Sequence, residues 1–271
     1  MWEGRRGARL VAAADGFAVC EQTCDEQRAS WVGPGYRDRY VLNLPRVGGF
    51  LVRNDGREHF LDPTVGNFEW PGQELHVSHP LGPCRPATLI SLPEEVGAGE
   101  LADRVASTVP RSGSFEVRHW ALVAACRRGA DAFEVAERVW ALLESLPGRQ
   151  DRARVPGVRP STASAHRRLV AQAMAVLSEG DFLLGLGAVA GRVGCSPAHL
   201  SRVFRRGTGR SLTAYRNELR VRAVLQDLAD GAPSLRALAA TYGFADQAHL
   251  SRVARASWGL PPSRVRELFS A

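Results

Sequence analysis

Lysine is absent from this 271-residue sequence, and all 35 basic side chains are arginine. GC-rich coding accounts for that bias, so it says little about function by itself. Also missing is any uninterrupted apolar run of about 18 residues, which argues against a membrane-spanning helix. The N-terminal stretch MWEGRRGARLVAAADGF has basic residues but only a short, broken apolar run, so it does not read as a signal peptide. A cytoplasmic location is therefore expected, and the five cysteines are expected to be thiols. No nucleophile elbow, phosphate-binding glycine loop or paired-carboxylate arrangement is present. An enzyme is not expected, nor is a cofactor. With 45% hydrophobic residues the chain can build a packed core, which excludes global disorder.

The charge is unevenly distributed. Residues 1–147 hold 16 Arg against 20 acidic residues, a net of −4. Residues 148–271 hold 19 Arg against 8 acids, a net of +11. Such asymmetry suggests a basic module that meets polyanions, joined to one that does not.

The two parts also differ in pattern. From residue 15 to about 95, short apolar runs such as VLNL (41–44) and GGFLVR (48–53) alternate with turn formers, which predicts strands. Asn54-Asp55-Gly56 falls between two apolar runs and predicts a hairpin. Further turns are expected at Asp62-Pro63, Pro71-Gly72 and His79–Pro83. Many short strands separated by such turns indicate a sandwich or small barrel. The period then becomes helical over FEVRHWALVAACRRG (115–129) and DAFEVAERVWALLESL (131–146). In the second, Phe133, Ala136, Val139, Trp140 and Leu143 form a stripe that suits packing on the strands, dimerisation, or both. Residues 148–165 are rich in Pro, Gly, Ser and Arg and read as a linker. From 166 onward the pattern is helical.

The helical part contains a repeat. Leu186, Val189, Ala190, Val193 and Gly194 match Leu235, Leu238, Ala239, Tyr242 and Gly243 at one constant offset. Ser196, His199, Leu200, Arg202, Val203 and Gly209 match Asp246, His249, Leu250, Arg252, Val253 and Gly259 at an offset one residue longer. The extra residue falls in a turn. Each copy reads as helix, tight turn, helix: Gly194 and Gly243 close the first helix in a left-handed conformation, and Ser196 and Asp246 cap the second. Pro197 suits the first helical position. Leu200, Val203 and Phe204 face inward in the first copy, and Leu250 and Val253 in the second. The outer faces carry Ala198, Arg202, Arg205 and Arg206, then Ala248, Arg252 and Arg255. Small residues and arginines on one exposed helix face suit insertion into a major groove. Between the copies, residues 211–231 predict one helix of about 18 residues, roughly 27 Å at 1.5 Å per residue. Successive major grooves on one face of a duplex lie about 34 Å apart. A strut of that length suits one chain that reads two grooves.

The stretches VAGRVGCSPAHLSRVFRRGTGRSL, LRVRAVLQDL and LAATYGFADQAHLSRVARASWGLPPSRVR resemble the DNA-binding domain of AraC/XylS-type bacterial transcription regulators. Residues 15–95 more faintly resemble the cupin-like sensor domain that often precedes it. The resemblance implies an α+β chain. Residues 1–147 would form a cupin-like β-sandwich or barrel with trailing helices, for sensing or dimerisation, and 148–165 a linker. Residues 166–271 would form an all-α double helix-turn-helix domain. It places DNA-facing positions on Ala198, His199, Ser201 and Arg202, and on Gln247, Ala248, His249, Ser251 and Arg252. Arg205, Arg206 and Arg255 join them as phosphate ligands. Double-stranded DNA is the partner implied, with RNA polymerase by family resemblance. A small-molecule effector in the N-terminal domain and a homodimer are further partners it admits, and no membrane partner is expected. Two positions depart from the family pattern: Ala254 and Val265 stand where aromatics are usual, which would loosen the second motif.

Cys20, Cys24, His79 and Cys84 form the best candidate set for zinc or thiol sensing. Cys126 and Cys195 read as core residues. His76 and His79 are three apart and face opposite sides of a regular strand. The Pro-Cys-His-Arg motif of Ada-type alkyl-DNA repair regulators is missing.

Overall fold

The computed structural model describes residues 7–23, 30–54, 56–79, 86–148 and 160–270. Its N-terminal half contains β1 (Ala8–Ala14), β2 (Phe17–Gln22), β3 (Val32–Tyr36), β4 (Tyr40–Pro45), β5 (Phe50–Asn54), β6 (Arg57–Leu61), β7 (Val65–Glu69), β8 (Glu74–Ser78), β9 (Ala87–Leu92) and β10 (Thr108–Pro110). They form a six-stranded sheet, β1-β2-β9-β4-β7-β10, and a four-stranded sheet, β3-β8-β5-β6. Every pairing is antiparallel. Asn54 pairs with Arg57 across the expected hairpin, and Gly56 supplies a positive φ of 74°. The strands begin earlier than expected. Ala14 pairs with Phe17 across Asp15 and Gly16, whose φ values of 47° and 80° are those of a tight two-residue hairpin turn.

β4 is buried on both faces because it lies between two layers. Leu42 and Leu44 join Phe68, Ile90 and Leu92 under helices α1 (Gly113–Arg127) and α2 (Ala132–Glu144). The opposite face of the same sheet turns Asn43, Asn67 and Glu69 toward the four-stranded sheet, where Asn54 Nδ2 reaches Asn67 Oδ1 at 3.5 Å. α2 does not bury the whole stripe suggested by its sequence. Val135, Ala136, Val139, Leu142 and Leu143 face the core, while Phe133 is 71% exposed and Trp140 45%. Phe133 and Trp140, seven residues apart, project within about 20° of each other, and the buried face is centred roughly 110° away, because a helix advances about 100° per residue.

α1 is buried almost all round. Phe115, Leu122 and Cys126 face the sandwich core, and Val117, Trp120, Ala121 and Ala124 face a second core made with the C-terminal helices. A third side carries a polar set. The ring nitrogen Nδ1 of His119 accepts from Arg111 at 3.0 Å, and Nε2 donates to Thr88 Oγ1 at 2.9 Å. Burial pushes the His119 pKa well below its ordinary value, so the imidazole is neutral and this tautomer satisfies both partners.

The C-terminal part comprises α3 (Pro160–Ser178), α4 (Leu186–Arg192), α5 (Pro197–Thr208), α6 (Leu212–Ala229), α7 (Leu235–Thr241), α8 (Gln247–Trp258) and α9 (Pro262–Ser270). α3 begins within the segment expected to be a linker, and residues 149–159 of that segment lie outside the described residues. The first motif closes around Val170, Leu177, Val189, Leu200, Phe204 and Tyr215. α6 belongs to two cores: Leu212, Tyr215 and Leu219 pack into the first motif, whereas Val221, Val224, Leu225 and Leu228 pack with the second. No helix among the described residues is long and apolar enough to cross a membrane.

The two departures from the family pattern both fall at buried positions. Ala254 is fully buried, and Trp258, one helical turn later, fills the same core. Val265 is likewise fully buried, with Phe269 one turn beyond. The aromatic bulk is displaced by a turn rather than lost. A small residue at 254 suits the close approach of α1: a Cβ on Gly113 would come within 1.9 Å of the Ser257 carbonyl oxygen.

Two outcomes follow from this packing. Ala254→Phe should overpack the site and cost about 1–3 kcal/mol in urea denaturation, and a neutral or stabilising result would contradict the displaced-aromatic account. Trp120→Ala should cost about 3–5 kcal/mol. Because α1 is common to both cores, calorimetry on that variant should show the sandwich and second motif melting in one shifted transition, not two.

Candidate nucleic-acid interface

Each recognition helix is delimited by side chains that the repeat preserves. Ser196 Oγ accepts the His199 amide at 3.3 Å, and Asp246 Oδ1 accepts the His249 amide at 2.6 Å. Gly194 and Gly243 lie at φ values of 71° and 68°, closing the turn before each cap. Gly209 and Gly259, at 75° and 77°, end α5 and α8 in the same left-handed geometry. These four glycines hold φ values that side-chain-bearing residues adopt only with strain, so both helices start and stop at matched positions.

Between those stops, the inner face of α5 buries Leu200, Val203 and Phe204. α8 buries Leu250 and Ala254 and partly buries Val253. Ala198, Ser201, Arg202, Arg205 and Arg206 are exposed on α5, as are Gln247, Ala248, Arg252 and Arg255 on α8. The Arg202 side chain lies back along its helix, with Nε donating to the Ala198 carbonyl at 3.3 Å. His199, His249 and Ser251 are only half-exposed. His249 has a local task, since its Nδ1 accepts the Ala245 amide at 3.3 Å and its ring meets Phe244 edge-on at 5.6 Å. The His199 ring lies 5.9 Å from that of His166 on α3. His249 therefore helps to shape its turn, while the His199 side chain meets α3.

Sequence reasoning missed Arg236. It is exposed on α7 and lines a cleft of about 480 Å³ together with Ala240, Ala245, Gln247 and Ala248. The repeat offset aligns it with Gly187, and that contrast was the available signal. Arg167 and Arg168, exposed on α3, were also missed.

The two motifs touch directly. The Phe182 ring is 5.7 Å from that of Tyr242, and the Arg220 guanidinium on α6 grips the Phe182 carbonyl at 2.6 Å. Tyr242 in turn donates to Asp227 at 2.8 Å.

The candidate sulfur and histidine set is only partly described, because Cys24 and Cys84 lie outside the described residues. Cys20 is buried in β2, and burial raises its thiol pKa. His79 is buried with its ring 5.3 Å from that of Phe50, whereas His76 is half-exposed. Among the described residues no group of three or more His, Cys, Asp or Glu is placed to hold a metal ion. Cys126 is in the core, its thiol pushed up to about 11 by burial, and Cys195 is half-buried against the first motif.

A family profile described as a helix-turn-helix domain matches residues 189–268. The multiple antibiotic resistance protein MarA, from Salmonella typhimurium and from Escherichia coli K12, is 34% identical over 83 residues, 31% of this chain. The match spans 65% of the length of those relatives. Among solved structures, an AraC-type DNA-binding-domain regulator from Chromobacterium violaceum is 22% identical, covering 40% of this chain and 96% of its own, with a TM-score of 0.37. ToxT from Vibrio cholerae is 9% identical, covering 93% of this chain and 99% of its own, with a TM-score of 0.38. Residues 189–268 thus match a helix-turn-helix domain, and over 83 residues the chain is similar to MarA.

Proposed function

We propose that the chain is a sequence-specific DNA-binding transcription regulator whose two recognition helices enter successive major grooves. The observation that carries this reading is the paired geometry of α5 and α8. Each is capped and stopped at matched positions, and each presents arginines outward while a row of apolar residues holds it to the domain. The 18-residue α6 joins them, and at 1.5 Å per residue it is about 27 Å long, close to one groove repeat. Arg202, Arg252 and Gln247 are assigned to base edges, since Arg pairs with guanine and Gln with adenine. Ala198 and Ala248 allow close approach, and Ser201 and Ser251 stand beside them. Arg205, Arg206 and Arg255, with Arg236 and the exposed arginines of α3, are assigned to phosphates. His199 and His249 edge the contact, and His249 also holds its turn.

We assign sensing to the N-terminal domain, which would shift DNA occupancy when a small polar effector binds between its sheets. The buried Asn43, Asn67 and Glu69 there support this, and Asn43 Oδ1 has no hydrogen-bond partner. A homodimer would use the exposed Phe133 and Trp140 of α2 with Leu10 of β1.

Arg252→Ala should weaken binding to a selected duplex by about 1–3 kcal/mol and relax preference at one base pair. Arg206→Ala should weaken binding to all duplexes alike and reduce the salt dependence of log K by about one ion. Titrations against a panel of single-base variants, at several salt concentrations, separate the two. A uniform loss for Arg252→Ala would make it a phosphate anchor and remove it from base reading.

A further inference from the structure

Between β6 and β7 the chain turns through Asp62, Pro63 and Thr64, and each of the three binds the strut or its approach. Asp62 is fully buried; its Oδ1 accepts the Thr64 amide and hydroxyl, both at 2.7 Å, and its Oδ2 accepts the Tyr215 hydroxyl of α6. The Tyr215 hydroxyl is also 3.0 Å from Ser178 Oγ at the end of α3. The Pro63 carbonyl accepts Arg222 Nε at 2.8 Å, and the same guanidinium reaches the Arg111 carbonyl. Thr64 Oγ1 accepts Arg210 Nη2 at 3.0 Å, and the Arg210 guanidinium lies 4.9 Å from the Tyr215 ring centre. Glu218 on α6 pairs with both Arg210 and Arg222.

These contacts reach side chains 146 to 159 residues away in sequence. Burial raises the Tyr215 pKa well above its ordinary value, an effect the neighbouring Asp62 carboxylate reinforces, so the hydroxyl stays protonated and donates. At the far end of α6, Arg127 of α1 pairs with Asp230, and the α1 face packs on the second motif. The strut is thus held near both ends by the N-terminal domain. None of these contacts uses the exposed arginines of α5 or α8. The docked domain leaves the reading faces open while restricting how each motif can pivot about the strut.

We infer that the Asp62-Pro63-Thr64 loop is a positioning element for DNA reading, which fixes the spacing and relative angle of the two recognition helices through Tyr215, Arg222 and Arg210. The inference rests on the DNA-reading proposal above. Two linked modules bind together most tightly when their geometry is preset, because less freedom is lost on engagement.

The test uses the full chain and a duplex selected by the wild-type protein from a random library. Tyr215→Phe and Arg222→Gln disturb the strut side, and Thr64→Val disturbs the loop while leaving the strut sequence intact. Each should bind the intact duplex on the order of tenfold more weakly. Each should bind duplexes with either half scrambled within about twofold of wild type. Each should also lose less than wild type when one base pair is inserted between the halves. Wild-type or tighter binding to the intact duplex overturns the inference. So does an equal loss on intact and half-scrambled duplexes, which would mark these residues as supports of the fold alone. Failure to select any duplex would instead overturn the DNA-reading proposal itself, and this inference with it.

Discussion

The whole arrangement depends on helix α1 being buried on opposite faces. One side completes the core of the β-sandwich through Phe115 and Leu122, and the other completes the core of the second helix-turn-helix motif through Val117, Trp120 and Ala124. An amphipathic helix buries one stripe and leaves the other in water, whereas a helix apolar on all sides belongs inside. α1 is inside because the C-terminal domain covers it. If α1 were stripped from the second motif, Trp120, Trp258 and Leu250 would face water together, an apolar area too large for a monomer to expose without consequence. The boundary between the two halves of the chain is therefore a shared hydrophobic core, with polar ties at its rim such as Arg127 to Asp230.

That constraint explains how a helix of only five turns can act as a ruler. A bare α-helix fixes the distance between its ends, but the motifs at those ends can still swing. Here α6 gives its first half to the core of one motif and its second half to the core of the other, so each motif grows directly out of the strut. Phe182 and Tyr242 close the direct contact between motifs, and Arg220 joins that contact to the strut. The result is three routes of restraint between the recognition helices: the strut, the contact beside it, and the N-terminal domain behind it.

Most of the C-terminal domain was legible in the sequence because its instructions are local. Caps, left-handed glycines and a three-and-four spacing act over one or two turns, and the repeat states them twice. The strut appeared as one helix because no breaker interrupts Leu212–Ala229. The N-terminal half was less legible. Asp15-Gly16 is as strong a hairpin signal as Asp55-Gly56, but the modest runs beside it hid β1. The stripe on α2 left packing and dimerisation both open, and the structure divides it: Ala136, Val139 and Leu143 are buried, while Phe133 and Trp140 are exposed. The domain contacts were not legible. Asp62 and Tyr215 are 153 residues apart, and a lone aspartate in a turn or a lone tyrosine on a helix carries no mark of its distant partner. The one available sign was that 115–126 contains apolar residues on more than one face, more than a single contact surface requires.

The two copies separate what must be repeated from what is free to change. Caps, closing glycines and the inward leucines recur because the second helix of each motif needs the same start, stop and seat. At the outer positions Ala198, His199, Ser201, Arg202 and Arg205 recur as Ala248, His249, Ser251, Arg252 and Arg255, while Pro197 aligns with Gln247, Arg206 with Ala256, and Gly187 with Arg236. At one inner pair the bulk moves along the helix, from Phe204 in the first copy to Trp258 in the second, where Ala254 and Thr208 are the aligned residues. If both helices read DNA as proposed, the three differing positions would make the two preferred half-sites unequal. The second helix of the first motif carries more exposed arginine, and the second motif carries Gln247 and Arg236 at its leading edge. Under the proposed DNA-reading role, one chain would have a direction on the duplex, imposed by those few differences between its two outer faces and held by the core that joins them.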